Sequence, residues 1–248
     1  MGRAKKINVH RASLSGPKRR GRKCKDLRLR VEGILWILRT GVGWRDLPAE
    51  FGPYTTVFSC FRSWSYSGLW EAILEALRAN ADNEYLMVDS TAVRVHQHGS
   101  GPKGGQLAQA MGRSRAGLST KLHFACDGLG YPLGFIVTAA NVHDYHQAKP
   151  LLKKYLSSSA YALMDKGYDG DSIRAYVNQL GGIAVIAVNT RRSLKPPFDE
   201  HLYRERHRIE NLFARLKHYR RISTRYEKLC THFSSMVALA SILIWLKL

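Results

Sequence analysis

The chain has 248 residues, 45% of them hydrophobic, and carries 39 Lys and Arg against 19 Asp and Glu, a formal charge of +20 at pH 7. That apolar content and length exclude a disordered or collagen-like chain and suit one large domain or two small ones. The positive excess points to a polyanionic partner, nucleic acid first, and away from acidic substrates. Cys24, Cys60, Cys126 and Cys230 are scattered without the paired spacing of a zinc site and read as reduced thiols. The longest apolar run, Met236 to Leu246, is well short of the roughly 20 residues that span a bilayer and reads as a buried C-terminal helix. No apolar stretch follows the first charges, so the start is not a secretory signal and a cytoplasmic location is expected.

The first thirty residues hold twelve Lys or Arg and one acid, Asp26. Residues 1–26 read as a flexible basic arm suited to phosphates. From Leu27 to about Ala79 the pattern is helical. Val31, Ile34, Leu35 and Leu38 recur at three- and four-residue steps before Thr40-Gly41 stops the run. Thr55 to Ser65 repeats the spacing with Val57, Phe58, Phe61 and Trp64, and Leu69 to Leu77 follows Ser67-Gly68. Three short helices with tight joints make residues 27–79 a small all-α bundle of the helix-turn-helix kind. Trp36, Trp44, Trp64 and Trp70 read as its core.

After Asn80 the texture turns to strands. Tyr85 to Val88, the alternating Leu122, Phe124 and Cys126, and Phe135 to Ala139 are extended, the last two joined by the turn Asp127-Gly128-Leu129-Gly130. A helix from Gln147 to Leu156, a strand at Tyr161 to Met164, a helix near Ser172 to Leu180 and a strand at Ile183 to Val188 follow. Antiparallel strands followed by alternating helices and strands describe an α/β mixed sheet flanked by helices, the order of an RNase H-like fold, over residues 80–248. The glycine-rich stretch between His96 and Ser119, with Lys103, Arg113 and Arg115, has Gly105 and Gln106 where a nucleotide-binding P-loop needs Lys and Ser or Thr. It reads as a basic loop and not as an ATP site.

Two segments end an apolar strand in a carboxylate: Leu86-Met87-Val88-Asp89 and Ala162-Leu163-Met164-Asp165. A carboxylate desolvated at a strand end needs a cation opposite, and two on neighbouring strands of one sheet suggest a shared site. Glu210 is the candidate third acid. Taken as one helix at about 100° per residue, the segment from Tyr203 to Lys217 puts Tyr203, Arg206, Glu210 and Lys217 in a sector of about 60°. Ile209, Leu212, Phe213 and Leu216 fill the adjacent sector and would seat the helix on the sheet. Asp144 reads as a cap for the helix from Gln147 ahead of a further ligand, and Asp169 and Asp171 as turn and cap residues. His96, His98, His143 and His146 form two close pairs, a poor case for zinc.

The sequence from Leu27 onward resembles bacterial insertion-sequence transposases of the DDE class, close to insertion-sequence family 5. The shared segments are Val88-Asp89-Ser90-Thr91, Gly112-Arg113-Ser114 through Thr120-Lys121-Leu122-His123, Asn141-Val142-His143-Asp144 and Met164-Asp165-Lys166-Gly167-Tyr168-Asp169. The family's C-terminal signature of Tyr, two residues, Arg, three residues, Glu, six residues and Lys is met by Tyr203, Arg206, Glu210 and Lys217. Glu32-Gly33-Ile34-Leu35-Trp36 and Gly43-Trp44-Arg45-Asp46-Leu47-Pro48 resemble its N-terminal helical domain. One departure stands out: Arg3 to Lys18 shows no apolar repeat where family members begin with a helix.

The resemblance implies an RNase H-like catalytic domain with Asp89, Asp165 and Glu210 as catalytic and metal-binding triad. It further implies two Mg²⁺ ions, with Mn²⁺ able to substitute, and Tyr203, Arg206 and Lys217 as contacts to transposon-end DNA. The expected partners are the element's terminal inverted repeats, target DNA and further copies of the chain on DNA. The implied activity is DNA cleavage at the element ends and strand transfer. The alternatives are a nuclease of the same fold or a non-catalytic DNA-binding remnant.

Overall fold

A computed structural model describes residues 26–247 apart from 103, 116, 194 and 195. The basic arm expected over 1–26 lies outside the described residues except for Asp26. Its carboxylate accepts the Leu29 N–H at 3.0 Å and so caps the first helix, α1 (Leu27–Thr40). Gly41 ends α1 in the left-handed conformation (φ 74°), and a Cβ there would meet Arg220 Cβ at 2.9 Å, so the position demands glycine twice over. Helices α2 (Tyr54–Tyr66) and α3 (Leu69–Leu77) follow, all three within a residue or two of the sequence expectation. The tryptophans pack inward as expected: Trp44 lies 5.1 Å from both Phe58 and Phe61, and Trp64 meets Trp70 edge to face.

The strands are β1 (Tyr85–Val95), β2 (Gly112–Ser114), β3 (Gly117–Cys126), β4 (Pro132–Ala139), β5 (Tyr161–Met164), β6 (Ile183–Ile186) and the two-residue β7 (Thr224–Arg225). β3 lies antiparallel between β1 on one edge and β4 with β2 on the other. On its far edge β1 runs parallel to β5, and β5 to β6, so β1 is central. Its apolar run ends at Val88, but the strand continues to Val95, because Val93 and Val95 keep the alternation beyond the carboxylate.

The sheet's two faces bury different sets of side chains. Met87, Leu122, Phe124 and Leu163 face α7 (His207–His218) and α9 (Cys230–Leu246), while Leu86, Val88, Ala162 and Met164 face α4 (Tyr145–Tyr155) and α5 (Asp171–Gln179). Helix α9 is buried on nearly all sides and receives α3 and α2 on its outer flank, joining the N-terminal helices to the sheet in one apolar cluster. Among the described residues no helix is long and apolar enough to cross a membrane.

The single helix expected over Tyr203 to Lys217 is two. α6 (Glu200–Arg204) and α7 are joined at Glu205 and Arg206, whose dihedrals near −60° and −20° and i to i−3 hydrogen bonds tighten the chain into a 3₁₀ turn. A four-residue helix α8 (Arg220–Ser223) leads from α7 into β7.

Candidate active site

The register of the central parallel pair builds the site. Its last partners are Val88 and Met164, so the next residue on each strand is a carboxylate, Asp89 on β1 and Asp165 just past β5. Neighbouring strands lie about 4.8 Å apart, which brings the two acids side by side. By alternation both share the face of Met87 and Leu163, the face on which α7 packs. β5 stops at Met164 and β7 rejoins β1 only at Arg94, so the edge of β1 between them is left open at Asp89.

Burial raises the Asp89 carboxyl above the usual aspartate range, and the negative charge of Asp165 pushes the same way. The Ser90 N–H, which it accepts at 2.7 Å, and Arg206 oppose the shift without cancelling it. Asp165 accepts the Gly167 N–H at 2.9 Å, fixing the turn after β5. Two hard oxygen donors in mutual repulsion fit a divalent cation of the magnesium class, which binds through one or two carboxylates and substrate phosphates.

Glu210 is not gathered into the same cluster. The Arg206 guanidinium stands between it and Asp89, with Nη1 2.5 Å from Asp89 Oδ2 and Nη2 2.6 Å from Glu210 Oε1. Among the described residues no group of three or more His, Cys, Asp or Glu is arranged to hold a metal. The Glu210 side chain is 58% exposed, against 18% for Asp89. Arg206 also lies over the Tyr203 ring, 5.7 Å from its centroid. Lys217, seven residues and so about 10 Å along α7 from Glu210, is exposed. The structure thus joins Asp89, Asp165, Arg206, Glu210 and Tyr203 in one neighbourhood and leaves Lys217 at its outer end.

The seating of α7 depends on residues that helical spacing did not single out. Arg208 donates to the Gly128 carbonyl and Arg215 Nη2 to the Gly130 carbonyl at 2.6 Å, two ties to the β3–β4 turn. Their seven-residue separation on one helix was the available signal. That turn is organised by buried Asp127, which accepts the N–H groups of Asp82, Leu129 and Tyr131.

On the sheet's opposite face Tyr168 is buried. Burial, then the charges of Asp89, Asp144 and Asp165, raise its hydroxyl's pKa. Asp144 does not cap α4 with its side chain. It pairs with Lys121 at 2.9 Å and lies 3.6 Å from His123 Nδ1, because the loop before α4 folds it back over β3. His123 is wholly buried, its Nε2 2.8 Å from Thr138 Oγ1, and burial lowers its pKa to about 4. Asp169 likewise is no cap: Gly170 holds that position, and Asp169 binds Arg174, Arg192 and the Asn189 N–H. Those bonds tie the segment beyond β6 to the turn that carries Asp165.

Residues 81–245 match the family described as Transposase DDE domain, and residues 9–74 match that described as Putative transposase of IS4/5 family. Over 131 residues the chain is 42% identical to a putative transposase for insertion sequence element IS6501 of Brucella ovis, 52% of this chain and 100% of that protein. Over 127 residues it is 32% identical to a putative transposase for insertion sequence element IS402 of Burkholderia cepacia, 46% of this chain and 56% of that protein. Its fold resembles that of piggyBac transposase in a synaptic complex with hairpin DNA (TM-score 0.54, 10% identity), over 86% of this chain and 63% of that one. At that identity the likeness is one of fold, and the fold is RNase H-like. A family match that spans the sheet, both strand-end carboxylates and α7 makes this chain a member of the DDE transposase family.

Proposed function

We propose that the protein cuts DNA at the ends of an insertion sequence and joins the freed ends to target DNA. Asp89, Asp165 and Glu210 serve as the carboxylates of the reaction, and two Mg²⁺ ions, replaceable by Mn²⁺, as its cofactors. The observation that carries this reading is the register that delivers Asp89 and Asp165 together to an open strand edge. Bound divalent ions would supply the charge that activates the attacking oxygen and steadies the leaving one. In cleavage the oxygen of water bonds to phosphorus as the bond to the 3′ oxygen breaks, leaving a 3′ hydroxyl. In joining, that hydroxyl attacks a target phosphate in the same way.

The chain's own part is positioning and charge. Asp89 and Asp165 present oxygens in fixed register. Arg206, held by Asp89 and Glu210 without DNA, turns to a phosphate when DNA enters and frees both acids. Tyr203 packs beside that guanidinium, and Lys217 extends the contact to the backbone beyond. Residues 27–79 act as the DNA-binding unit and 80–248 as the catalytic one, assembled as a homo-oligomer on DNA.

The test is incubation of the protein with Mg²⁺, a pre-cleaved element end and plasmid DNA. Joined product from the native protein and none from Asp89→Ala supports the reading. Nicking without joining reduces the protein to a nuclease, and equal activity in Asp89→Ala removes the carboxylate from the chemistry.

A further inference from the structure

Away from the carboxylates, two open cavities of about 910 and 740 Å³ share Gln97, Ser100 and Tyr226, and so form one continuous trough. It runs along the seam between the N-terminal helices and the sheet. Trp44 and Arg45, between α1 and α2, line one end, Lys228 lies beyond β7, and Arg94 near the end of β1 lines the other. Among the described residues no Asp or Glu lines either cavity. Arg45, Arg94 and Lys228 are exposed and, among the described residues, enter no ion pair. Past Arg94 the line continues: Leu118 lines the trough, and its cross-strand partner on β2 is the exposed Arg113.

The floor is rigid. Tyr226 is held between His96, stacked on it at 4.6 Å, and Arg221, whose guanidinium lies 4.9 Å from the ring centroid. Arg221 is itself buried, bound to Glu227 at 2.6 Å and to the carbonyls of Gly41 and Val42. A preformed trough with free cations and no carboxylates suits a chain of phosphates.

We infer that this seam trough is a DNA backbone track, holding the duplex that runs on from the cleavage site. Arg94 lies five residues beyond Asp89 on the same strand, about 17 Å at the usual rise or roughly five base pairs of duplex, and by alternation on the sheet's other face, so the duplex reaches the trough across the end of the strand. The inference rests on the cleavage reading above and adds to it a second surface remote from the carboxylates.

The experiment is binding of fluorescent random-sequence duplex DNA by the full chain over a salt series. The variants are the triple substitution Arg45→Gln, Arg94→Gln, Lys228→Gln and a control that removes equal charge from α4: Lys149→Gln, Lys153→Gln, Lys154→Gln. All six side chains are exposed, and circular dichroism checks that both variants fold. The trough variant is expected to lose about 2.7 from the slope of log affinity against log salt, and on the order of 10²-fold in affinity near physiological salt, with the control close to native. Equal losses in the two variants, or none in the trough variant, would overturn the track while leaving the cleavage reading intact. Failure of the native protein to bind DNA at all would overturn both.

Discussion

Two arginine–carboxylate clusters in this protein have opposite designs. At the seam, Arg221 and Glu227 are both nearly fully buried and matched one to one, and Gly41 and Val42 supply carbonyls for the Arg221 Nη1. At the candidate active site one guanidinium, Arg206, is shared by Asp89 and Glu210, with Asp165 adding a further negative charge that raises Asp89. A balanced, desolvated pair holds two parts of the fold together. An unbalanced, half-open one leaves carboxylates in excess, the condition under which a site takes up a cation and exchanges its partners when phosphates arrive.

The contrast yields opposite mutational signatures. Asp165→Asn is expected to lower end cleavage by on the order of 10³-fold or more, while the melting temperature holds or rises because a repulsion with Asp89 is removed. Parallel cleavage assays and thermal melts check this, and a large fall in melting temperature would place Asp165 in the structural class. Arg221→Ala should do the reverse. Leaving Glu227 buried without its partner costs about 3–5 kcal/mol, a fall in melting temperature of roughly 10 °C for a chain of this size. Cleavage measured well below that temperature should fall far less than in Asp165→Asn.

A third effect separates the two faces of the sheet by pH. His123 titrates near 4 in the folded protein, against about 6.5 when unfolded. The unfolded chain therefore takes up the proton first, so stability present at pH 7 is lost as pH falls from about 6.5 towards 4, by up to about 3 kcal/mol. His123→Gln, which retains a donor towards Thr138, should flatten that part of the profile in denaturant titrations. An unchanged slope would remove His123 as its source. The smallest effect is expected from Arg208→Ala: loss of its tie to the Gly128 carbonyl should cost about 1 kcal/mol by chemical denaturation.

How far the sequence disclosed this arrangement follows the range of the forces involved. Helices α1 to α3 and strand β5 are set by local periodicity and by stop signals such as Gly41, and their limits were legible. Strand β1 was read short because its second half carries Asp89, Ser90, Thr91 and Arg94, polar residues that stay in the sheet through pairing with β3 and not through their own apolarity. The break between α6 and α7 left no mark, since Glu205 and Arg206 are ordinary helix formers bent by tertiary contacts.

Strand-end acids flagged Asp89 and Asp165, because desolvated carboxylates are rare enough in sequence to attract notice. The bond from Arg206 to Asp89 joins residues 117 apart and depends on where α7 lands, which no periodicity encodes. Asp144 was expected as a cap for the same reason: its true partner, Lys121, lies on β3.

The proposed function turns on carboxylates that hold divalent cations once DNA has drawn Arg206 aside. Calorimetric titration of Mn²⁺ into the native protein, free and bound to DNA, and into Asp165→Asn measures this directly. Tight binding that appears with DNA, is weak without it and is lost in Asp165→Asn is the expected result. Equal Mn²⁺ affinity in native protein and Asp165→Asn, with DNA present, would contradict it.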